Sequence, residues 1–145
     1  MKKYIYLFFV ALFATTSFAF TSCGDDDESN DSNSGNIIGT WEQNVNIDDD
    51  WQSIQLIQFK QDGTFVEVYD SKFMGGNEVE ISRGTWRKDG NNLTVVYDND
   101  KETDLNHCTI VKLTDKELIV ESFAIGVGVK VKLTKVADSK IEAYL

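Results

Sequence analysis

The sequence predicts an all-β domain, an eight-stranded antiparallel up-and-down barrel, with a two-sheet β-sandwich as the alternative. Three observations predict it. From Ile37 onward Val, Ile, Thr, Phe, Tyr and Trp are enriched and recur with the period of a strand rather than of a helix. Turn residues interrupt that pattern roughly every ten positions. Every connection is too short for a crossover helix, so successive strands must pair as antiparallel hairpins. Eight strands on about 109 residues are enough to close a barrel, which removes the free edges of an open sheet.

The expected strands are 38–47, 51–60, 64–73, 78–87, 92–98, 105–114, 118–125 and 128–137. The first begins at Gly39-Thr40-Trp41 and stops at Asp48-Asp49-Asp50; the second begins at Trp51 and stops at Gln61-Asp62-Gly63. Met74 to Asn77 separate the third from the fourth. In the fourth, Val79 and Ile81 share one parity and Trp86 falls on the other, so Gly84 is the expected site of a bulge that resets the buried face. Lys88 to Asn91 lead to the fifth, where Leu93, Val95 and Tyr97 alternate with Asn92, Thr94 and Val96. Asn99 to Asp104, Asp115-Lys116-Glu117 and Gly126-Val127 bound the sixth and seventh. The last is the cleanest: Val129, Val131 and Leu133 alternate with Lys130, Lys132 and Thr134, which gives one buried and one wet face.

The chain has 145 residues, no proline, and 14 Lys plus Arg against 24 Asp plus Glu, a formal net charge of -10. So acidic a surface repels a phosphate backbone, and nucleic acid is not an expected partner. Residues 1–22 stand apart from the domain. Lys2 and Lys3 precede an uncharged apolar stretch from Tyr4 to Phe20, which Thr15, Thr16 and Ser17 interrupt, and small Thr21 and Ser22 lead into Cys23. That order reads as a secretory signal cleaved before Cys23 rather than a transmembrane anchor. Cleavage would leave 12 bases against 24 acids, or -12. Residues 23–36 read as an acidic flexible tether: from Gly24 to Asn36 no large apolar residue occurs, so the segment cannot bury enough surface to fold. Its reach is roughly 20 Å by random-coil scaling. The domain proper is expected over 37–145.

Phe20-Thr21-Ser22-Cys23 resembles the lipobox of bacterial lipoproteins, which implies that the Cys23 thiol carries a diacylglyceryl group. Gly24-Asp25-Asp26-Asp27-Glu28 resembles the acidic export tag of Bacteroidetes surface lipoproteins, which implies an outer-membrane protein exposed at the cell surface and held by its lipid. Several acyl chains on one residue anchor stably where one would be marginal. With Cys23 acylated, Cys108 has no partner for an internal disulfide, and its place in an apolar strand marks it as a small buried hydrophobe. Gly39-Thr40-Trp41 ahead of a β meander resembles the Gly-x-Trp signature of lipocalins. With Phe59 to Phe65 at the second hairpin and Gly84-Thr85-Trp86 later, residues 37 to 137 resemble the lipocalin-like domains of Bacteroidetes lipoproteins. Lipocalins usually set an arginine of the last strand against the signature tryptophan; here Lys130, Lys132 and Lys135 are available.

Hairpin parity assigns the odd-numbered connections to one end of the barrel and the even-numbered ones to the other. The even ones are tight, with Asp62-Gly63 and Asp89-Gly90 turns. Gly39, Trp41, Gly84 and Trp86 fall at that end, where the two indoles are expected to plug a floor. The odd end has the looser loops and Trp51, Tyr69, Phe73, Phe123 and Ile125, the candidates for an aromatic mouth around a small apolar or amphipathic ligand. Small inward residues at that end would mean a cavity; interlocked large ones would mean a filled barrel acting as an accessory subunit of an envelope complex.

Catalytic chemistry is not expected. His107 is the only histidine, so no histidine-based metal cluster or triad can be assembled. No Gly-x-Ser-x-Gly elbow, phosphate-cradling glycine loop or Cys/His metal spacing occurs. Asp98, Asp100, Glu102 and Asp104 resemble a calcium loop, but Thr103 and Thr109 occupy the positions of its glycine and final glutamate. Neither a metal nor a cofactor is therefore expected.

Overall fold

The computed structural model describes residues 33, 35–48, 51–73, 75–99, 106–122 and 129–145. The signal, Cys23, most of the tether, Phe123, Ile125 and Asp100 to Asp104 lie outside the described residues. Eight strands run in chain order around a closed antiparallel barrel: β1 (Gly39–Asp48), β2 (Trp51–Phe59), β3 (Thr64–Phe73), β4 (Gly76–Asp89), β5 (Asn92–Tyr97), β6 (Asn106–Leu113), β7 (Glu117–Ser122) and β8 (Val129–Val136). The barrel closes where β1 meets β8, pairing Thr40 with Val136, Trp41 with Lys135 and Glu42 with Thr134. The expected barrel is therefore the observed one, and the sandwich is not.

The alternation within each strand sorts side chains inward and outward, and the register carries the sorting from strand to strand, because residues directly opposite share a face. Inward residues of the end that carries the β2–β3, β4–β5 and β6–β7 turns make the main core. Trp41, Phe59, Phe65, Leu93, Ile110, Leu113, Leu118 and Leu133 are buried there, joined by Ile37 from the segment before β1. This is the floor of the barrel. Phe59 stacks edge-on against Trp86 at 5.4 Å and lies 6.5 Å from Phe65, which stacks edge-on against Tyr97 at 5.2 Å. Each large side chain fully buried there contributes roughly 1.5–3 kcal/mol.

The Gly84 bulge expected in β4 does not form. Pairing with β3 runs unbroken from Thr64–Thr85 to Phe73–Gly76, and pairing with β5 from Gly84–Tyr97 to Asp89–Asn92. Gly84 and Trp86 share the inward parity, and Val79 and Ile81 stand outward, 50% and 37% exposed. Gly84 is needed for room rather than for a bulge: a Cβ there would lie 1.9 Å from the Val96 carbonyl oxygen and 2.7 Å from the Phe65 ring. Register shifts occur instead between Asn46 and Asp48 and between Ile110 and Lys112.

A one-turn helix not expected from the sequence, α1 (Ser139–Glu142), follows β8 and lies against the outside of the barrel. Its fully buried Ile141 covers the outward Leu56, Val66 and Val68, forming a second, smaller core. Thr40 donates to Asp138 at 2.7 Å, Tyr144 donates to Asp70 at 2.7 Å, and Lys140 pairs with Glu42. Ordered contacts also begin ahead of Ile37: the Gly35 amide donates to the Leu113 carbonyl at 3.1 Å, and Asn33 donates to the Asn91 side chain at 2.9 Å. A Cβ on Gly35 would meet the Thr114 backbone at 2.5 Å, so a glycine lets this segment lie across the floor.

Candidate functional site: the mouth half of the barrel

The signature residues build the closed end. Gly39 has φ of 122°, a conformation that other residues rarely adopt, and a Cβ there would lie 2.9 Å from the Lys135 side chain. That opening lets Lys135 extend over Trp41. Its Nζ sits 4.9 Å from the centre of the Trp41 ring and donates to the Asn36 carbonyl at 3.0 Å. A lysine of the last strand thus makes the cation–π contact that the lipocalin resemblance assigns to an arginine. The Trp41 indole N–H donates to the Ile37 carbonyl at 2.7 Å and that of Trp86 to the Lys60 carbonyl at 2.9 Å. Both rings belong to the floor, Trp41 fully buried and Trp86 half-buried against Phe59.

Above the floor the inner wall changes character. On β1 to β4 the register sets out three successive transverse rows: Trp41, Ile57, Glu67 and Ser82; then Gln43, Gln55, Tyr69 and Glu80; then Val45, Ser53, Ser71 and Glu78. The last pair of β2 and β3, Trp51 opposite Phe73, stands at the rim, with the rings edge-on at 5.6 Å. On the facing wall, Val95, Val131 and Val129 continue the apolar pattern. The barrel therefore has a packed apolar floor, a polar belt with three serines, and an aromatic lip.

Glu67 is the deepest carboxylate of that belt. Burial pushes its carboxyl above the ordinary carboxylate range; donation from Tyr97 at 2.7 Å and from Gln55 at 2.5 Å pulls the other way, and the nearby charge of Glu80 adds to the rise. The carboxyl is enclosed even though the residue as a whole is only partly covered. A carboxyl held in a protein interior by two donors, with a second carboxylate beside it, is a poor neighbour for an anion and a good acceptor for hydrogen-bond donors.

Of the five residues expected at the mouth, the structure brings Trp51 and Phe73 together at the rim and places Tyr69 inward, deeper on β3; Phe123 and Ile125 lie outside the described residues. Gln43, Ser53, Glu67, Ser71, Glu80 and Ser82 were not expected. Unbroken alternation back from Trp86 would have placed Ser82 and Glu80 inside; giving the inner face to apolar Val79 and Ile81 concealed it. His107 is exposed on β6, its Nδ1 3.2 Å from the Thr94 hydroxyl, and Cys108 faces inward beside the core. Among the described residues no group of three or more His, Cys, Asp or Glu side chains could hold a metal ion, and no helix is long and apolar enough to cross a membrane.

No curated protein sequence and no solved structure matches the chain. The sequence model of the lipocalin-like domain matches residues 37–120, from the floor segment ahead of β1 into β7, and the structure adds β8 to close the barrel. On that match, together with the closed eight-stranded up-and-down barrel and the Gly39, Trp41 and Lys135 floor, the chain belongs to the lipocalin-like domain family.

Proposed function

We propose that the protein is a lipid-anchored cell-surface protein whose barrel takes up one small amphipathic ligand through its mouth and does no chemistry on it. The observation that carries this reading is the change along the inner wall from large apolar side chains at the floor to a polar belt that includes three serines. Trp41, Phe59 and Phe65 fill the floor, whereas Ser53, Ser71 and Ser82 occupy inward positions nearer the mouth. An eight-stranded barrel either fills itself or holds one small molecule, and serines leave space that core residues would have taken. The Trp51–Phe73 pair supplies an apolar lip.

Anchoring rests on the charged, apolar, then small-residue order of Met1 to Ser22 and on the lipobox-like run ending at Cys23. The acidic run after Cys23 supports an outer-membrane, outward-facing location by its resemblance to the Bacteroidetes export tag. Because the chain enters β1 at the floor end, a barrel tethered through Cys23 presents its mouth away from the bilayer. The second reading, an accessory subunit of an envelope complex, is favoured by the outward Val79 and Ile81, a pair of apolar side chains that no neighbouring strand covers.

Native mass spectrometry of protein released from its own membrane separates the two. We expect a small-molecule adduct on the wild type and none on Ser71→Phe, which places a large ring among the inward serines. Absence of an adduct from the wild type as well would favour the accessory-subunit reading.

A further inference from the structure

β4 has 14 residues and β5 beside it has 6. β3 pairs with one side of β4 from Thr85 to Gly76, whereas β5 pairs with the other side only from Gly84 to Asp89. The chain then turns at Asp98 and Asn99, and its last bond to β4 runs from the Asp98 amide to the Arg83 carbonyl at 2.9 Å. Among the described residues, no strand pairs with residues 77–82 on that side. Toward the mouth, β4 is therefore a sheet edge. The Asp98 bond also shows which backbone groups line it. Arg83 turns its carbonyl toward β5, and the alternation of an extended strand turns the amides and carbonyls of Ile81, Val79 and Asn77 the same way. The Trp86 amide, of the other parity, donates across to the Gly63 carbonyl ahead of β3 at 2.8 Å.

Proteins blunt a free edge with lysine, proline, a bulge or inward-pointing charges. Residues 77–82 contain no lysine or proline, and their pairing with β3 has no register shift. Val79 and Ile81 stand exposed on the outer face; only Glu78 and Glu80, on the inner one, guard the edge. That guard is selective. Antiparallel pairing with a second copy about Val79 would set Glu78 of each chain opposite Glu80 of the other, which like charges oppose. A strand that brings cations to the same positions meets no such obstacle.

We propose that residues 77–81 form a docking edge for an extended segment of another protein that alternates apolar with basic residues. It pairs antiparallel to β4, in the line that a longer β5 would take. Its backbone completes the hydrogen bonds of Asn77, Val79 and Ile81, its apolar side chains cover Val79 and Ile81, and its lysines or arginines lie against Glu78 and Glu80. A net charge of -10 draws a basic segment toward the molecule as a whole, and the alternation fixes its register on β4. The inference goes beyond the ligand reading and does not depend on it.

The test is fluorescence anisotropy of the full chain with a short labelled peptide that alternates valine with lysine, at about 0.15 M salt to screen general attraction. The peptide is N-methylated on its lysines, which leaves only its valine amides free to pair. We expect saturable binding that disappears when the methyl groups are moved to the valines, because residues opposite Val79 and Ile81 in antiparallel register turn their amides to β4. A glutamate–valine peptide should not bind. Val79→Pro removes an amide from the open edge and no bond to β3, and should weaken binding about fivefold or more. Glu78→Lys combined with Glu80→Lys should reverse the preference, so that the glutamate–valine peptide binds and the lysine–valine one does not. Asp89→Lys combined with Asp115→Lys makes the same change in net charge at the floor end and should leave binding of the lysine–valine peptide within about twofold. Circular dichroism shows which variants keep the barrel, and the peptide comparisons on the wild type decide the matter if one does not. No binding, equal binding of the two methylated peptides, or an equal loss in the floor-end variant would overturn the proposal. So would a wild-type dimer in size-exclusion chromatography that Val79→Pro converts to monomer, since a second copy would then hold the edge. None of these outcomes bears on a small-molecule adduct, so the ligand reading stands or falls separately.

Discussion

At the scale of single residues, Glu67 and Lys135 show how position decides what a charge does. Lys135 is spent on structure: it covers Trp41 and ties the last strand to the Asn36 carbonyl at the floor. Glu67 lies in the same transverse row, two strands beyond Trp41, where burial raises its carboxyl above the ordinary range. The sign of the consequence follows. A raised acid costs nothing while folded and unfolded chains both hold the proton. The cost begins as pH climbs through the ordinary carboxylate value, because the unfolded chain releases its proton first, and it is complete above the folded value. Glu67→Gln lacks this titration. Urea denaturation from acid to neutral pH should therefore show wild-type stability falling relative to Glu67→Gln as pH rises; a flat difference would mean that the carboxyl is not desolvated. Glu117 runs the other way, since donation from Lys112 and Lys132 lowers its carboxyl, and its contribution is lost as pH falls. Because both lysines reach solvent, that contribution is small.

At the scale of elements, β4 and α1 explain each other's neighbourhoods. β3 and β4 pair over their whole common length, so their inner faces share one alternation and their outer faces another. On the outer face, Val66 and Val68 of β3 and Leu56 of β2 are as buried as core residues because α1 lays Ile141 on them. Farther along, Val79 and Ile81 of β4 lie beyond that cover. Four residues make a poor helix in isolation, so α1 owes its stability to tertiary packing rather than propensity. Ile141→Ala should consequently cost about 2–5 kcal/mol in urea denaturation, the range for a large apolar side chain removed from a well-packed site. A cost under about 1 kcal/mol would mean that α1 is not seated on the barrel in solution.

At the scale of the whole molecule, the described chain enters β1 at the closed floor, and the polar belt and the rim lie beyond it. The floor end receives the chain from the N-terminal side and carries the tight turns, including Asp62, whose carboxylate accepts from the Thr64 amide at 2.9 Å and hydroxyl at 2.6 Å. The mouth end carries the rim pair. If Cys23 is the anchor, Cys23→Ala should move the protein from the membrane pellet to the soluble fraction of cell lysates with the domain still folded. Retention in the pellet with an uncleaved N-terminus would instead make Tyr4 to Phe20 the anchor.

Strand count, hairpin order, the two ends of the barrel and the aromatic composition of its floor are all legible in the amino-acid order. They are legible because period-two alternation and turn chemistry are local properties, readable wherever one face is wet, as in Val129 to Thr134. Which face of β4 is inside depends on its pairing with β3 and β5. Val79 and Ile81 are apolar, and by composition alone they claim the core; the pairing of Gly84 with Phe65 and Tyr97 overrules them, because Phe65 needs the space a side chain would fill. That one decision turns Ser82 and Glu80 inward and, with Ser53, Gln55 and Glu67 from neighbouring strands, makes a polar belt behind the aromatic lip. Lys135 over Trp41 is likewise invisible in sequence, since three lysines of the last strand were candidates and only barrel closure picks one. A side chain's face is set by register across strands, and register is a non-local quantity that a single strand's sequence does not contain.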